Sequence, residues 1–414
     1  MSFPPGRTGS FDFTSAFGGH GAGPGRKVEH MNDQEAGGVS GAGAGITGES
    51  VTGRSVAGRS GAGGSGAGRS GAGGITSGAV TAGAVTADGI TVAGGDAEVE
   101  AVRRFRARVG LPGLVDVHTH FMPERVLKKV WEYFESAGPL VGMEWPITYR
   151  HEENERVALL RAFGVRAYTS LLYPHKPGMA DWLNGWAAGF AARTPDCLQT
   201  ATLFPEDGVE TYVREAVEGG ARIFKSHVQV GAYDPNDERL DGVWGLLSDA
   251  AVPVVMHCGS GPVAGQYTGP EPVARLLARH PRLPLVIAHL GMPEYTGFLK
   301  LAALYEEVRL DTTIAFTDFG EGFAPFPKEA RGRLADLGDR ILLGSDFPNI
   351  PYPYVHQLEA LEALGLGDPW LRAVCYENGA RLFGLADAVT APVAAPVTDP
   401  AMDPVTDPAG PQAG

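Results

Sequence analysis

The chain has 414 residues, 43% of them hydrophobic, and a formal charge of −14. That acidic balance argues against a nucleic-acid partner, because phosphate binding needs a basic stripe and none is present. No run approaches ~18 apolar residues, so no membrane span is expected, and the start Met-Ser-Phe-Pro-Pro-Gly-Arg lacks the apolar segment of a secretion signal; the expected location is the cytoplasm.

In chain order, residues 1–100 are rich in Gly, Ala and Ser, with about half of the 59 glycines and runs such as 56–70 and 78–87. Such a segment cannot repay the entropy of ordering it, and a disordered tail is expected. Arg54, Arg59 and Arg69 are isolated within it and make no basic patch. From residue 101 to 385 short β-rich runs alternate with longer helical patterns, the rhythm of parallel strands joined by crossover helices. Eight runs read as strands: Leu114 to His120, Val165 to Leu172, Leu198 to Leu203, Arg222 to His227, Val252 to His257, Leu285 to His289, Val308 to Thr312 and Arg340 to Asp346. The helical patterns between them include Glu152–Phe163, Ala180–Arg193, Gly208–Glu218, Leu240–Ala250, Pro272–Ala278, Leu299–Glu306 and Lys328–Leu337, with Tyr354–Leu364 and Pro369–Phe383 following the last strand. Roughly 285 residues are close to the ~250 of one (β/α)₈ barrel, so the expected fold is an α/β TIM barrel of one domain. The remainder, 386–414, repeats Pro-Val-Thr-Asp-Pro at 396–400 and 404–408 and reads as a second disordered tail.

The first strand ends in Asp-Val-His-Thr-His, 116–120. Residues two apart on a strand point to one side, so His118 and His120 can converge on one ion, each nitrogen about 2.1 Å from it. Later strands end in further candidates: Val-Val-Met-His257, Ile-Ala-His289 and Gly-Ser-Asp346-Phe-Pro. Barrel sites lie at the carboxyl ends of strands, which is where these residues fall. Cys197, Cys258 and Cys375 lie far apart without a Cys-x-x-Cys spacing, which indicates reduced thiols rather than disulfides or a thiolate zinc site.

This combination, with Lys225 on the fourth strand and a closing Glu377-Asn-Gly-Ala-Arg381-Leu-Phe-Gly, resembles the amidohydrolase superfamily. The closer likeness is to its amidohydrolase-related branch, which includes the aminocarboxymuconate-semialdehyde decarboxylase group; it spans roughly 112–385. The resemblance implies one divalent ion, usually zinc, held by His118, His120, His257 and Asp346. Neutral imidazoles and a carboxylate suit zinc and leave room for a water whose pKa the ion lowers to about 7. His289 is expected to transfer the proton, with Asp346 sharing that role. The resemblance allows a homodimer, which composition neither supports nor excludes.

Lys225 has three readings: a carboxylated bridge between two ions, a substrate or oxyanion contact, or a buried ion pair with Asp116. His227 shares its strand face and should lie at the mouth, whereas Phe224 and Ser226 face the outer helices. After the second strand, His175 and Lys176 could meet a substrate carboxylate or simply be a solvated loop. Trp145, Tyr149 and the aromatics of 317–326 could close over a planar ligand. Cys258 and the Asn378–Arg381 signature are assigned to packing and structure. The expected function is metal-dependent hydrolysis of a small-molecule amide, ester or lactone. Non-oxidative decarboxylation of a small aromatic or unsaturated carboxylic acid is the alternative, and an inert barrel serving as an interaction scaffold is a third reading.

Overall fold

The computed structural model describes residues 84–87, 90–93, 95–136 and 138–385. Most of the tail expected at residues 1–100 and all of that expected at 386–414 lie outside them. Eight parallel strand positions form the barrel: β1 (Leu114–Asp116), β2 (Val165–Thr169), β3 (Cys197–Leu198 and, past Gln199, Thr200–Thr202), β4 (Ile223–His227), β5 (Val254–His257), β6 (Leu285–Ile287), β7 (Val308–Asp311) and β8 (Ile341–Leu342). Each pairs in parallel with its neighbours in sequence order. At Gln199 β3 turns from one partner to the other: Cys197 and Leu198 pair with β2, and Thr200–Thr202 pair with β4. Just beyond the assigned strand ends the ring closes, as the Val117 N–H donates to the Leu343 carbonyl at 2.9 Å and the Asp346 N–H to the His118 carbonyl at 2.8 Å.

Helices cover the outside. Asp96–Val109 (α1) buries Val102, Phe105 and Val109 and ends at Gly110, whose φ of 76° is the left-handed conformation that glycine adopts without a Cβ clash. The expectation of a tail reaching residue 100 is therefore corrected: α1 begins at Asp96, and an antiparallel strand pair, Ala84–Ala87 with Ile90–Ala93, precedes it. Val102, Phe105 and Val109 recur at helical spacing, so this stretch buries enough apolar surface to order itself. Between β1 and β2 run α2 (Glu124–Ser136) and α3 (Glu153–Phe163). In α3, Glu152 and Glu155 form a reciprocal capping box, and Gly164 (φ 78°) ends the helix.

The other crossovers are Ala180–Arg193, Val209–Glu218, Asp241–Asp249, Pro270–Arg279, Tyr295–Leu304 and Arg331–Asp336, within a few residues of their sequence patterns. After β8 come Tyr354–Glu362 and a helical stretch from Asp368 to Leu382. The Asn378 amide donates to the carbonyls of Gly338 and Ile341, both at 2.8 Å, so this signature pins the last helix to β8 as a structural element. Cys197, Cys258 and Cys375 are free and buried. Among the described residues no helix is long and apolar enough to cross a membrane.

Candidate metal centre

At the carboxyl ends of the strands, the ligand atoms of His118, His120 and Asp346 lie within 4.8 Å of one another, and all three residues are buried. Asp346 Oδ1 is 2.8 Å from His120 Nε2 and 3.6 Å from His118 Nε2. The opposite ring nitrogens are held by oxygen: His118 Nδ1 by Asp311 Oδ2 at 2.8 Å and His120 Nδ1 by the Leu171 carbonyl at 2.7 Å. These acceptors place the proton on Nδ1 of both rings and leave each Nε2 lone pair facing the shared centre. That is the tautomer a metal-ligating histidine needs, with the carboxylate and carbonyl that orient it. Two imidazoles and a carboxylate in this array fit a divalent cation.

The backbone is strained at two of the site's polar residues. Asp346 adopts φ 71° and His289 φ 55°, a region that costs a residue with a Cβ on the order of 1–2 kcal/mol. Hydrogen bonds from the Asp346 N–H to His118 and from the His289 N–H to Asp311 Oδ1 (2.8 Å) hold them there. Glycine at 344 is required by the close approach of β8, since a Cβ there would overlap Thr313 Oγ1 and crowd the Cβ atoms of His118 and Asp311. The Gly-Ser-Asp motif thus carries both a ligand and the clearance that lets His118 pack beside it.

Asp311, at the end of β7, was not singled out in the sequence although it obeys the same strand-end rule as the histidines. Fully buried, it accepts from His118 Nδ1, from the His289 N–H and from the Thr313 N–H. Burial opposes its ionisation, but the interaction with His118 Nδ1 outweighs this and holds it below the ordinary carboxylate range. Burial lowers His118 to about 4 and His289 to about 4, so both are neutral at pH 7. The His289 Nδ1–H donates to the Thr313 carbonyl at 3.2 Å, which leaves Nε2 as its proton acceptor. Its ring centroid lies 5.0 Å from that of His118 and 4.8 Å from that of His257.

His257 lines the same pocket but stands outside the group of three; its Nε2–H donates to the Gly261 carbonyl at 3.0 Å, leaving Nδ1 as its acceptor. It stacks on His227, ring centroids 4.2 Å apart and planes 11° from parallel, and burial lowers both pKa values well below the ordinary imidazole value. The His227 Nδ1 accepts from the Val230 N–H at 3.3 Å. Lys225 is fully buried and its Nζ lies 3.2 Å from His118 Nε2. Burial lowers its pKa to about 8.

An ion pair between Lys225 and Asp116 is not what the structure contains. Asp116 accepts instead from the Tyr354 hydroxyl (2.9 Å), the His118 N–H (3.1 Å) and the Ser345 N–H (3.2 Å), and burial pushes its carboxyl up to about 7. Asp116 is not among the residues that line the pocket, and Tyr354 supplies its side-chain partner. As expected, Phe224 is buried in the core and the Ser226 hydroxyl bonds Tyr233 at 2.7 Å, away from the pocket. His175 lines the pocket, whereas Lys176 is exposed and is not among its lining residues. Trp145 lines it too; Tyr149 does not, and its hydroxyl bonds Glu98 of α1 at 2.5 Å. Residues that sequence reasoning missed are Asp311, Asn349 and the inner face of α2. The pocket encloses roughly 1050 Å³, open solvent at its mouth included.

Residues 115–385 match the family model described as Amidohydrolase. The chain belongs to the amidohydrolase family. That family holds metal-dependent hydrolases and decarboxylases, and the match spans the whole barrel from β1 to the last helix. Among solved structures, the amidohydrolase barrel here is similar to an uncharacterised TIM-barrel protein from Bordetella bronchiseptica: 20% identity, TM-score 0.53, covering 67% of this chain and 99% of the other. At that identity the likeness shows the fold. Two further structures have a TM-score of 0.46. One is 5-carboxyvanillate decarboxylase from Novosphingobium aromaticivorans, solved with manganese (16% identity; 66% of this chain, 97% of the other). The second is described as a 2-pyrone-4,6-dicarboxylic acid hydrolase from Acinetobacter baumannii (13% identity; 66% of this chain, 99% of the other). No curated protein matches the chain in sequence.

Proposed function

We propose that this chain is a metal-dependent hydrolase of a small-molecule amide, ester or lactone. The observation that carries the reading is the buried group of His118, His120 and Asp346, with both imidazoles oriented to present Nε2 to one point inside a closed-ended pocket. These three would hold one divalent ion, for which zinc is the expected metal, with His257 Nδ1 as the further expected ligand. Such an ion supplies Lewis acidity toward a substrate oxygen and a lowered pKa for water.

The chain's own residues supply the rest. His289, neutral and held through Nδ1 by Thr313, offers Nε2 as the base that takes a proton from the attacking water and returns it to the leaving group. Asp311 keeps His118 in its ligating tautomer and, through the His289 N–H, fixes the backbone on which the base sits. Lys225 stands where its Nζ could donate to a substrate oxygen or, once carboxylated, bridge to a second ion.

The test is turnover by the metal-loaded protein of a lactone, ester and amide panel against a panel of aromatic carboxylates, with released carbon dioxide monitored. Hydrolysis without carbon dioxide supports the reading; carbon dioxide release replaces it with non-oxidative decarboxylation, and inactivity on every substrate together with failure to retain metal leaves the inert scaffold. Metal content measured with and without bicarbonate decides the role of Lys225. One ion per chain in both cases supports a substrate contact; a second ion gained only with bicarbonate supports the bridge.

A further inference from the structure

Part of the pocket lining is of a different chemical kind from the histidines. The inner face of α2 places Val126, Val130, Tyr133 and Phe134 along it, positions 0, 4, 7 and 8 of a helical stripe, and Trp145 and Phe323 extend it. The rings pack on one another, with Phe134 and Trp145 centroids 4.9 Å apart, and Trp145 meeting Phe319 edge to face at 4.7 Å. Trp145 is fixed, because its indole N–H donates to the Asn349 carbonyl at 2.8 Å. That bond also consumes the one polar group the indole could have offered a ligand.

Charge is distributed just as unevenly. Among the described residues that line the pocket, Lys225 and Asp346 are the only Lys, Arg, Asp or Glu, and both belong to the metal end. Among the described residues no arginine lines the pocket, and Lys176 is exposed and outside the lining. A carboxylate carried on the part of a substrate that lies against α2 would lose its hydration with no cation on this wall to meet it, and the Tyr133 hydroxyl, a neutral group, does not replace one. A flat apolar group there would instead exchange water for ring faces and valine methyls.

We infer that the site selects a substrate bearing an uncharged planar or branched apolar group, seated against α2 and Trp145, with its reacting carbonyl at the His118/His120/Asp346 end. The inference rests on the proposed hydrolysis for the reaction, but the selectivity rests on the wall alone. It separates this chain from any enzyme of dicarboxylates, whose second carboxylate would face α2.

The experiment compares kcat/KM of the metal-loaded, full-length protein for phenyl acetate, methyl 4-acetoxybenzoate and 4-acetoxybenzoate. Alongside, it measures binding of two ketones that cannot be hydrolysed, acetophenone and 4-acetylbenzoate, by calorimetry. The two uncharged esters should exceed the carboxylated one by at least about a hundredfold, and acetophenone should bind more tightly than 4-acetylbenzoate. Val126→Arg, at a half-buried position on the wall, should shrink the ester ratio by about tenfold by giving the carboxylate a partner. A carboxylated ester turned over as well as the neutral ones overturns the inference while leaving hydrolysis intact. Ketone preference without turnover of any ester keeps the inference and removes hydrolysis. Equal binding of the two ketones, or binding of neither, overturns the inference whatever the turnover.

Discussion

The metal end of the pocket and its aromatic wall are built by opposite means. At the metal end almost every side chain is polar, buried and held by a named partner: His118 by Asp311, His120 by Leu171, His289 by Thr313, His257 by Gly261. On α2 and around Trp145 the lining is mainly rings and methyl groups, and the indole N–H groups of Trp131 and Trp145 are both spent on Asn349. Buried polar groups tolerate no vacancy, because a lost partner leaves the other unsatisfied, whereas apolar surface degrades in proportion to the area removed. Reaction and selectivity are therefore encoded in different currencies of free energy, and substitutions on the two sides should fail differently.

The widest contrast is expected at the ligands. His118→Ala or Asp346→Ala should abolish stoichiometric metal, by elemental analysis, and reduce kcat/KM by more than the 10–100-fold typical of losing an outer partner. Retained metal and turnover in both variants would remove the proposed centre. Next, His289→Asn should keep metal bound while kcat falls about 10²–10⁴-fold, the range for losing a general base. An unchanged kcat assigns the base elsewhere. Asp311→Asn should weaken metal affinity about 10–100-fold, read by competition with a chelator, because the amide no longer enforces Nδ1–H on His118.

Lys225 tests the metal end in another way. Its folded pKa, about 8, is below the ordinary 10.5, so the folded metal-free protein binds fewer protons than the unfolded chain between those values. The cost of burial is then fully present below pH 8 and is relieved as pH rises toward 10.5. A difference of that size corresponds to roughly 3 kcal/mol. Denaturation of the metal-free protein should find Lys225→Met more stable than wild type at pH 7, with the gap narrowing by pH 10. A gap that does not depend on pH would place the ammonium in a compensated site. Smallest of all, Val130→Ala on the apolar wall should raise KM for an apolar substrate by about tenfold or less, with kcat and metal content unchanged. A large kcat effect there would show that the wall shapes the reaction as well as the binding.

Much of the barrel was legible because its strands end where the pattern of apolar runs and polar termini says they should. The helical patterns Ala180–Arg193 and Glu152–Phe163 came within a residue of the helices formed, and in the structure the Glu152/Glu155 capping box and Gly164 bound the second of them. Several strands proved shorter than their apolar runs because backbone pairing stops before the site residues do: β6 ends at Ile287, and His289 sits in a turn with positive φ. α1 was hidden by the Gly-rich stretch before it, although Val102, Phe105 and Val109 repeat at helical spacing. Asp311 was missed for a different reason. A strand-end aspartate followed by two threonines is an ordinary sequence, and its importance arises from His118, 193 positions earlier in the chain, turning Nδ1 toward it.

By itself the sequence determined the alternation that closes into a barrel and the residue types that reach its rim, because local periodicity and strand phase depend only on near neighbours along the chain. It also carried the family motif in His118, His120 and Asp346. Only the tertiary structure decided which nitrogen of each imidazole is presented, that Asp116 answers to Tyr354 rather than to Lys225, and that an uncharged wall lines the same pocket as the metal end. Those outcomes depend on partners brought together from distant segments, and the energy of a buried polar or apolar contact exists only once the partners meet.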